Sequence, residues 1–383
     1  MKPARTDNFN RRSFLQTACA ASACSLIPMQ GAISAAGLYE VLPEAKVYLH
    51  PAQYYEKLEK RRVRCTLCPR KCEVDDQERG YCGVRENRDG DYFTLVYGRP
   101  CTLHVDPVEK KPLFHFLPGT EIFSLATVGC NVNCKFCQNW QISQVRPEQE
   151  RSYDAPPDKL VETALNSQTP AIAHTYTEPV IFYEYAKEIG KIAHEKGLKN
   201  TFISNGYIEE KPLKELLPFL DAVKIDLKAF TERFYQELVV GELQPVLRCL
   251  EILVEEGMWT EIVYLVIPTQ NDDPDEIGQM CRWIRSNLGS DVPLHFTRFH
   301  PQYMLKTLPP TPIKTLERCH SIAREEGLNY VYIGNVASNK AEHTYCASCG
   351  EILIRRSGYR VNIEKLDKGN CLNCGISIPG IWE

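Results

Sequence analysis

The body of this 383-residue sequence contains no uncharged apolar run long enough to span a bilayer. That absence removes a membrane-spanning helix in the mature chain from consideration. Positive charge is not in excess either: 45 Lys and Arg face 49 Asp and Glu, a formal net charge of −4. The balance gives no global attraction to a phosphate backbone, so nucleic acid is not an expected partner. Charge is also missing locally, since none occurs between Arg12 and Glu40. The run Asn10-Arg11-Arg12-Ser13-Phe14-Leu15-Gln16 ahead of that gap has the form of a twin-arginine export signal. The gap itself closes on Ser34-Ala35-Ala36, an acceptable small-residue cleavage site. Residues 1–36 therefore read as a leader, with the protein expected in the periplasm or tethered there by an uncleaved leader. A cytoplasmic location is the alternative.

What is present in quantity is cysteine, 17 in all. Cys19 and Cys24 lie in the leader. Cys101, Cys249, Cys281 and Cys319 stand alone and read as buried small hydrophobes. The rest form three groups. Cys65, Cys68 and Cys72 are followed by Cys82, four thiols within 18 residues that can close a metal site by themselves. A structural zinc and a [4Fe-4S] cluster use the same ligands, and spacing leaves both open. Cys346, Cys349, Cys371 and Cys374 make two C-x2-C-G knuckles separated by 21 residues, with a hairpin expected near Ser357-Gly358. Paired knuckles of this kind read as a zinc ribbon. Arg355, Arg356 and Arg360 within it form a basic cluster that reads as a surface for RNA or protein.

The remaining group, Cys130, Cys134 and Cys137, supplies three thiolates where a structural zinc or a cubane cluster normally takes four. One coordination position is left for something else. On spacing alone, a structural or zinc-binding role is the alternative.

From about residue 120 to 335, apolar β-rich runs alternate with amphipathic helical patterns. Strands are expected at 121–128, 171–175, 200–204, 222–227, 260–267, 294–299 and 330–333, and helices at 158–166, 180–196, 243–256, 274–287 and 313–326. Such alternation gives an α/β fold with a parallel sheet, closed or partly closed. Chemistry in such folds sits at the C-terminal strand ends, and the three cysteines directly follow the first strand. Polar strings follow the next five: His174 to Glu178, Ser204 to Tyr207, Lys224 to Lys228, Asn271-Asp272, and His295 to His300. Five at one end imply a shared pocket.

Together these strings resemble the radical S-adenosylmethionine (SAM) superfamily. Within it they resemble the glycyl-radical-enzyme-activase type, such as the pyruvate formate-lyase activating enzymes, and the AmmeMemoRadiSam-system branch. The match spans about residues 60 to 382. It includes Asp106 to Gly119, the Cys130 motif through Trp140, Tyr176-Thr-Glu178-Pro179, Ser204-Asn-Gly206, Asp226-Leu-Lys228 and Ile333-Gly-Asn335. The resemblance implies a partial (β/α)6 TIM-like barrel at 119–336, an N-terminal Cys-rich region at 37–118 and a zinc ribbon at 337–383. It implies that Cys130, Cys134 and Cys137 hold a [4Fe-4S] cluster whose free iron binds SAM, with Phe136 completing the motif. Glu178 stands where relatives often have Gly-Gly-Glu bonding the SAM ammonium, although here Tyr176-Thr177 replace the glycines. Ser204, Asn205, Asp226 and Lys228 would face the SAM carboxylate and ribose, and Val266 and His300 the adenine. The implied activity is reductive cleavage of SAM to a radical that abstracts hydrogen from a protein or peptide. A flavodoxin- or ferredoxin-like protein would be the low-potential donor. A non-catalytic iron–sulfur electron carrier with a ribbon docking module is the competing reading, and the strand-end charges separate the two.

Overall fold

The seven apolar runs become seven parallel strands because each is buried on both faces, a pattern that helices on the outside of a sheet require. In the computed structural model, which describes residues 33–34, 39–42, 48–337 and 339–383, they belong to one nine-stranded sheet whose spatial order follows the chain. Its strands are β1 (Ile33–Ser34), β2 (Thr102–Pro107), β3 (Glu121–Ala126), β4 (Ala171–His174), β5 (Lys199–Ser204), β6 (Ala222–Asp226), β7 (Trp259–Val266), β8 (Leu294–Arg298) and β9 (Val331–Gly334). β1 and β2 are antiparallel to their neighbours; β3 to β9 run parallel. Six helices alternate with the parallel strands: α1 (Pro157–Asn166), α2 (Tyr183–Glu195), α3 (Glu210–Leu216), α4 (Gln244–Glu255), α5 (Pro274–Asn287) and α6 (Ile313–Glu325). α5 starts where the Asp273 carboxylate accepts the Asp275 and Glu276 amides at 3.0 and 3.1 Å, with Pro274 in the first helical position.

Two features depart from the sequence reading. The boundary expected at residue 118 falls between β2 and β3, which pair from Glu121↔Pro107 to Ala126↔Thr102. The twin-arginine motif lies outside the described residues, yet Ile33 and Ser34, inside the expected leader, pair with Val105 and His104 at the sheet edge. No described helix is long and apolar enough to cross a membrane.

Residues 48–98 build two small antiparallel sheets. They are pinned to α2 by a buried ion pair, Arg85 to Glu184 at 2.6 Å, and Glu184 also accepts the Gln53 amide at 2.7 Å. At the other end of the chain, Ile352–Ser357 and Arg360–Ile363 form the expected hairpin. Backbone bonds from Leu117 to Ile381 and from Ile381 to His115, both 2.7 Å, lock this C-terminal module under the sheet. Below it, Glu261 on β7 takes the amides of Phe114 and His115 and the ring of His295.

Candidate functional site

A cavity of about 490 Å3 opens at the C-terminal ends of the parallel strands, and all seven contribute to its wall. Cys130, Cys134 and Cys137 line it from the loop after β3. Thr175, Tyr176, Thr177 and Glu178 follow β4, Asn205 follows β5, and Lys224, Asp226 and Lys228 end β6. Val263 and Leu265 on β7, Thr297 on β8 and Asn335 after β9 complete the ring.

The cysteine loop is held by its neighbours, not by regular structure of its own. The Asn131 side chain donates to the Tyr207 carbonyl at 2.7 Å and accepts from Asn205 at 2.9 Å. Asn133 and Lys135 amides reach the carbonyls of Val239 and Leu238 at 3.0 and 2.8 Å. Phe136 is buried beside Phe234, ring centroids 5.7 Å apart, with the Lys228 ammonium 5.9 Å from its ring. The three thiols are thus presented to the cavity from a fixed loop. They are not gathered as a single-ion group; among the described residues that holds only for Cys346, Cys349, Cys371 and Cys374. A cubane fits the wider trio, since each of its cysteines binds a different iron.

Glu178 is 2% exposed. It accepts hydrogen bonds from Ser204 Oγ at 2.7 Å, the Asn205 amide at 2.8 Å and the Val180 amide at 3.1 Å. Two carboxylate oxygens offer about four acceptor positions, so one is left for a ligand ammonium. Burial raises its pKa to about 7, against the pull of those three donors. Ser204 therefore positions Glu178 and does not itself line the cavity. Burial also opposes ionisation of Asp226, but Lys224 and Lys228 outweigh it and hold that carboxyl at about 2. Lys228 sits 3.3 Å from Asp226, and Lys224 bonds its other oxygen. The triplet thus carries one net positive charge into the cavity.

Tyr176 has φ +64, the left-handed region that favours glycine. Its hydroxyl donates to Asp106, which also binds Lys110 and Lys111 at 2.7 and 2.6 Å. That bond holds the residue standing in the glycine position of the resembled motif.

Several residues sit elsewhere than expected. Val266 and His300 do not line the cavity. Val263 and Leu265 point inward, so the pleat turns Val266 out toward the helices, and His300 is exposed beyond β8. His174 also faces away, its ring 2.9 Å from Asn200 Oδ1. Asn271 is a buttress, donating to the carbonyls of Lys228 and Leu265. His295 lies at the opposite strand end, on Glu261. The Arg355, Arg356 and Arg360 cluster is not a basic surface. Arg356 is 2% exposed and bonded to Phe114 O and Thr344, and Arg355 is paired with Glu364. Residues missed from sequence are Lys110, Lys111 and Tyr359, the last from the tip of the C-terminal hairpin. Lys224, read from sequence only as part of a polar string, lies two residues before Asp226 on the same strand face and lines the cavity.

In the C-terminal module the sulfur of Cys346 lies 3.6 Å from that of Cys374, and Cys349 lies 3.7 Å from Cys371. A tetrahedron with metal–sulfur bonds of about 2.3 Å has edges of about 3.8 Å, so these four fit one metal ion.

A model described as the radical SAM superfamily matches residues 124–283. The chain is 44% identical over 332 residues to the uncharacterized protein MJ0808 of Methanocaldococcus jannaschii, covering 86% of this chain and 99% of that protein. It is 21% identical over 214 residues to the pyruvate formate-lyase 1-activating enzyme of Escherichia coli K12, covering 52% of this chain and 87% of that enzyme. Among solved structures, a radical SAM methyltransferase from Sphaerobacter thermophilus aligns with TM-score 0.47 and 17% identity, over 79% of this chain and 81% of that one.

Proposed function

Because the chain belongs to the radical SAM superfamily, whose members bind a [4Fe-4S] cluster and SAM, we propose that the cavity cleaves SAM reductively and directs the resulting radical at a protein or peptide. The single observation that carries this reading is the convergence of three loop thiols with Glu178, Asp226 and Lys228 on one cavity. An electron carrier has no use for such charges at the strand ends. Held there, the [4Fe-4S] group would supply the chemistry of one-electron reduction of the SAM sulfonium, which yields methionine and a 5′-deoxyadenosyl radical able to take hydrogen from a substrate.

The chain's own part is to bind, orient and exclude water. Cys130, Cys134 and Cys137 would hold the cluster. The spare acceptor position of Glu178 would take the SAM ammonium, and Lys228 its carboxylate in a charge-assisted bond. Asn205 and Asp226 would face the ribose. Phe136, Val263 and Leu265 supply the apolar wall that keeps solvent from the reacting centre. In this reading the seven strands and six helices are a partial (β/α)6 barrel, and the C-terminal module is a zinc ribbon that presents Tyr359 to the mouth of the cavity. A low-potential flavodoxin- or ferredoxin-like protein would supply the electron.

The test is anaerobic incubation of iron-reconstituted, dithionite-reduced protein with SAM, followed by chromatography for 5′-deoxyadenosine. The intact chain is expected to produce it and Cys134→Ala to produce none. Production by the variant would take the thiol trio out of the reaction.

A further inference from the structure

Four thiols near the N-terminus form a second set of ligand-type side chains outside the main site, beside the C-terminal four. Spacing alone leaves zinc and iron–sulfur equal there; the geometry separates them. Zinc needs sulfur–sulfur distances of about 3.8 Å, which the C-terminal module shows at 3.6 and 3.7 Å. Among the described residues only that C-terminal set is gathered as a single-ion group; Cys65, Cys68, Cys72 and Cys82 are not. Each ligand of a cubane binds a different iron, and its thiolates must stand apart in this way. The four line a small cavity that Tyr92 and Arg85 also line.

That cavity holds two buried donors with no acceptor: the Tyr92 hydroxyl and Arg85 Nε, on residues 2% and 1% exposed. A buried donor left unpaired costs about 1–3 kcal/mol, so two beside one cavity point to an acceptor within it. Inorganic sulfide is such an acceptor, and a zinc ion brings none. Backbone amides already serve the thiols: Leu67 to Cys65, Arg70 to Cys68, Val84 to Cys82, and Tyr81 to Cys72 at 3.5 Å.

This site touches the cysteine loop of the main cavity. Gly129, one residue before Cys130, packs so closely that an added Cβ would lie 2.8 Å from the Cys82 carbonyl oxygen and 2.7 Å from Val84. Arg70, between Cys68 and Cys72, donates to the carbonyls of Asn131 and Val240 and stacks on Tyr81 at 3.4 Å.

We propose that Cys65, Cys68, Cys72 and Cys82 hold a second [4Fe-4S] cluster, with Tyr92 and Arg85 donating to its sulfides, and that it relays single electrons to the Cys130 site. In the relay a flavodoxin- or ferredoxin-like donor gives up one electron and the second cluster is reduced by it. That electron then passes on, the cluster returns to its oxidised state, and no bond or proton moves. The relay rests on the reading of the Cys130 site given above; the cluster itself does not.

The experiment is metal analysis and electron paramagnetic resonance on the full chain, reconstituted anaerobically. About eight irons and one zinc per chain are expected. Cys130→Ala/Cys134→Ala/Cys137→Ala should retain about four irons and a reduced-cluster signal that SAM does not perturb. Cys68→Ala/Cys72→Ala should retain about four irons and a signal that SAM does perturb. The doubly reduced intact chain should show spin coupling that both variants lose. Tyr92→Phe removes one hydroxyl with little change of shape, and should lower the potential of the SAM-insensitive cluster only. Four irons and two zincs in the intact chain would overturn the cluster, as would an unmoved potential the sulfide contact. Absence of spin coupling would overturn the relay. If the intact chain fails to cleave SAM while the triple variant keeps its four irons, the proposed function falls and this inference stands.

Discussion

Glu178 and His174 are four positions apart and face opposite ways from the end of β4, with opposite consequences of burial. Glu178 faces the cavity, and its pKa of about 7 makes its charge depend on pH in the working range. Glu178→Gln is expected to weaken SAM binding by about tenfold or more, the order of one hydrogen bond to a charged group. Calorimetric titration of the reconstituted protein checks this. The weakening of wild-type binding below pH 7 should flatten in the same variant. His174 and His115 are fully buried, and burial lowers both to about 4. Each is neutral when folded and protonates more readily when unfolded. The stability they contribute is therefore present above pH 6.5 and lost as pH falls toward 4. Urea midpoints measured from pH 7 to 4.5 should decline, less steeply in His174→Leu. At this scale the site was legible where a residue announces its chemistry by type and spacing, as the cysteines, Glu178, Asp226 and Lys228 do. Val266 lies off the cavity wall because a pleated strand reverses direction at each residue, and one position of register decides which face is seen; His300 lies beyond the end of β8. Lys224 was read within a polar string but given no role of its own, because a lysine inside a strand ordinarily marks an outer face.

The seven parallel strands could be read from composition because each is a short apolar run closed by a polar string, and α5 because Asp273 and Pro274 mark its start. Shorter elements gave no such pattern. α3 spans only Glu210–Leu216 and contains Pro212, and the N-terminal sheets are built of strands of two to four residues. Their order comes from long-range contacts such as Arg85 to Glu184, which no local window contains. β2 was hidden for a related reason, since it joins the sheet antiparallel and ahead of the repeating pattern. A tight inter-element contact is at Gly129, with φ +97 and the Cys82 carbonyl oxygen where a side chain would begin. Gly129→Ala is expected to destabilise the protein by roughly 3 kcal/mol, from overpacking and a disfavoured backbone angle. Thermal unfolding followed by circular dichroism measures it. Iron should be lost from both cysteine loops together.

At the scale of the molecule, residues 33–383 form one compact unit, and the C-terminal module belongs to it through buried contacts. Arg356 reaches Phe114 O at 2.8 Å, and His115 bonds both Pro379 O and Tyr332 at 2.7 and 2.6 Å. Cys371→Ser is expected to release about one zinc per chain and lower the melting temperature, because such a module folds with its metal. Metal analysis beside a thermal melt checks both, and iron content should be unchanged. The module's four-cysteine cluster was legible from its knuckles, but nothing local indicated that its hairpin tip reaches a cavity built more than a hundred residues earlier. If the module holds zinc and the cavity works as proposed, Tyr359 at that tip makes the chamber answerable to a second element's supply. A chain starved of zinc would then keep every iron ligand and still lose a side chain from its cavity wall.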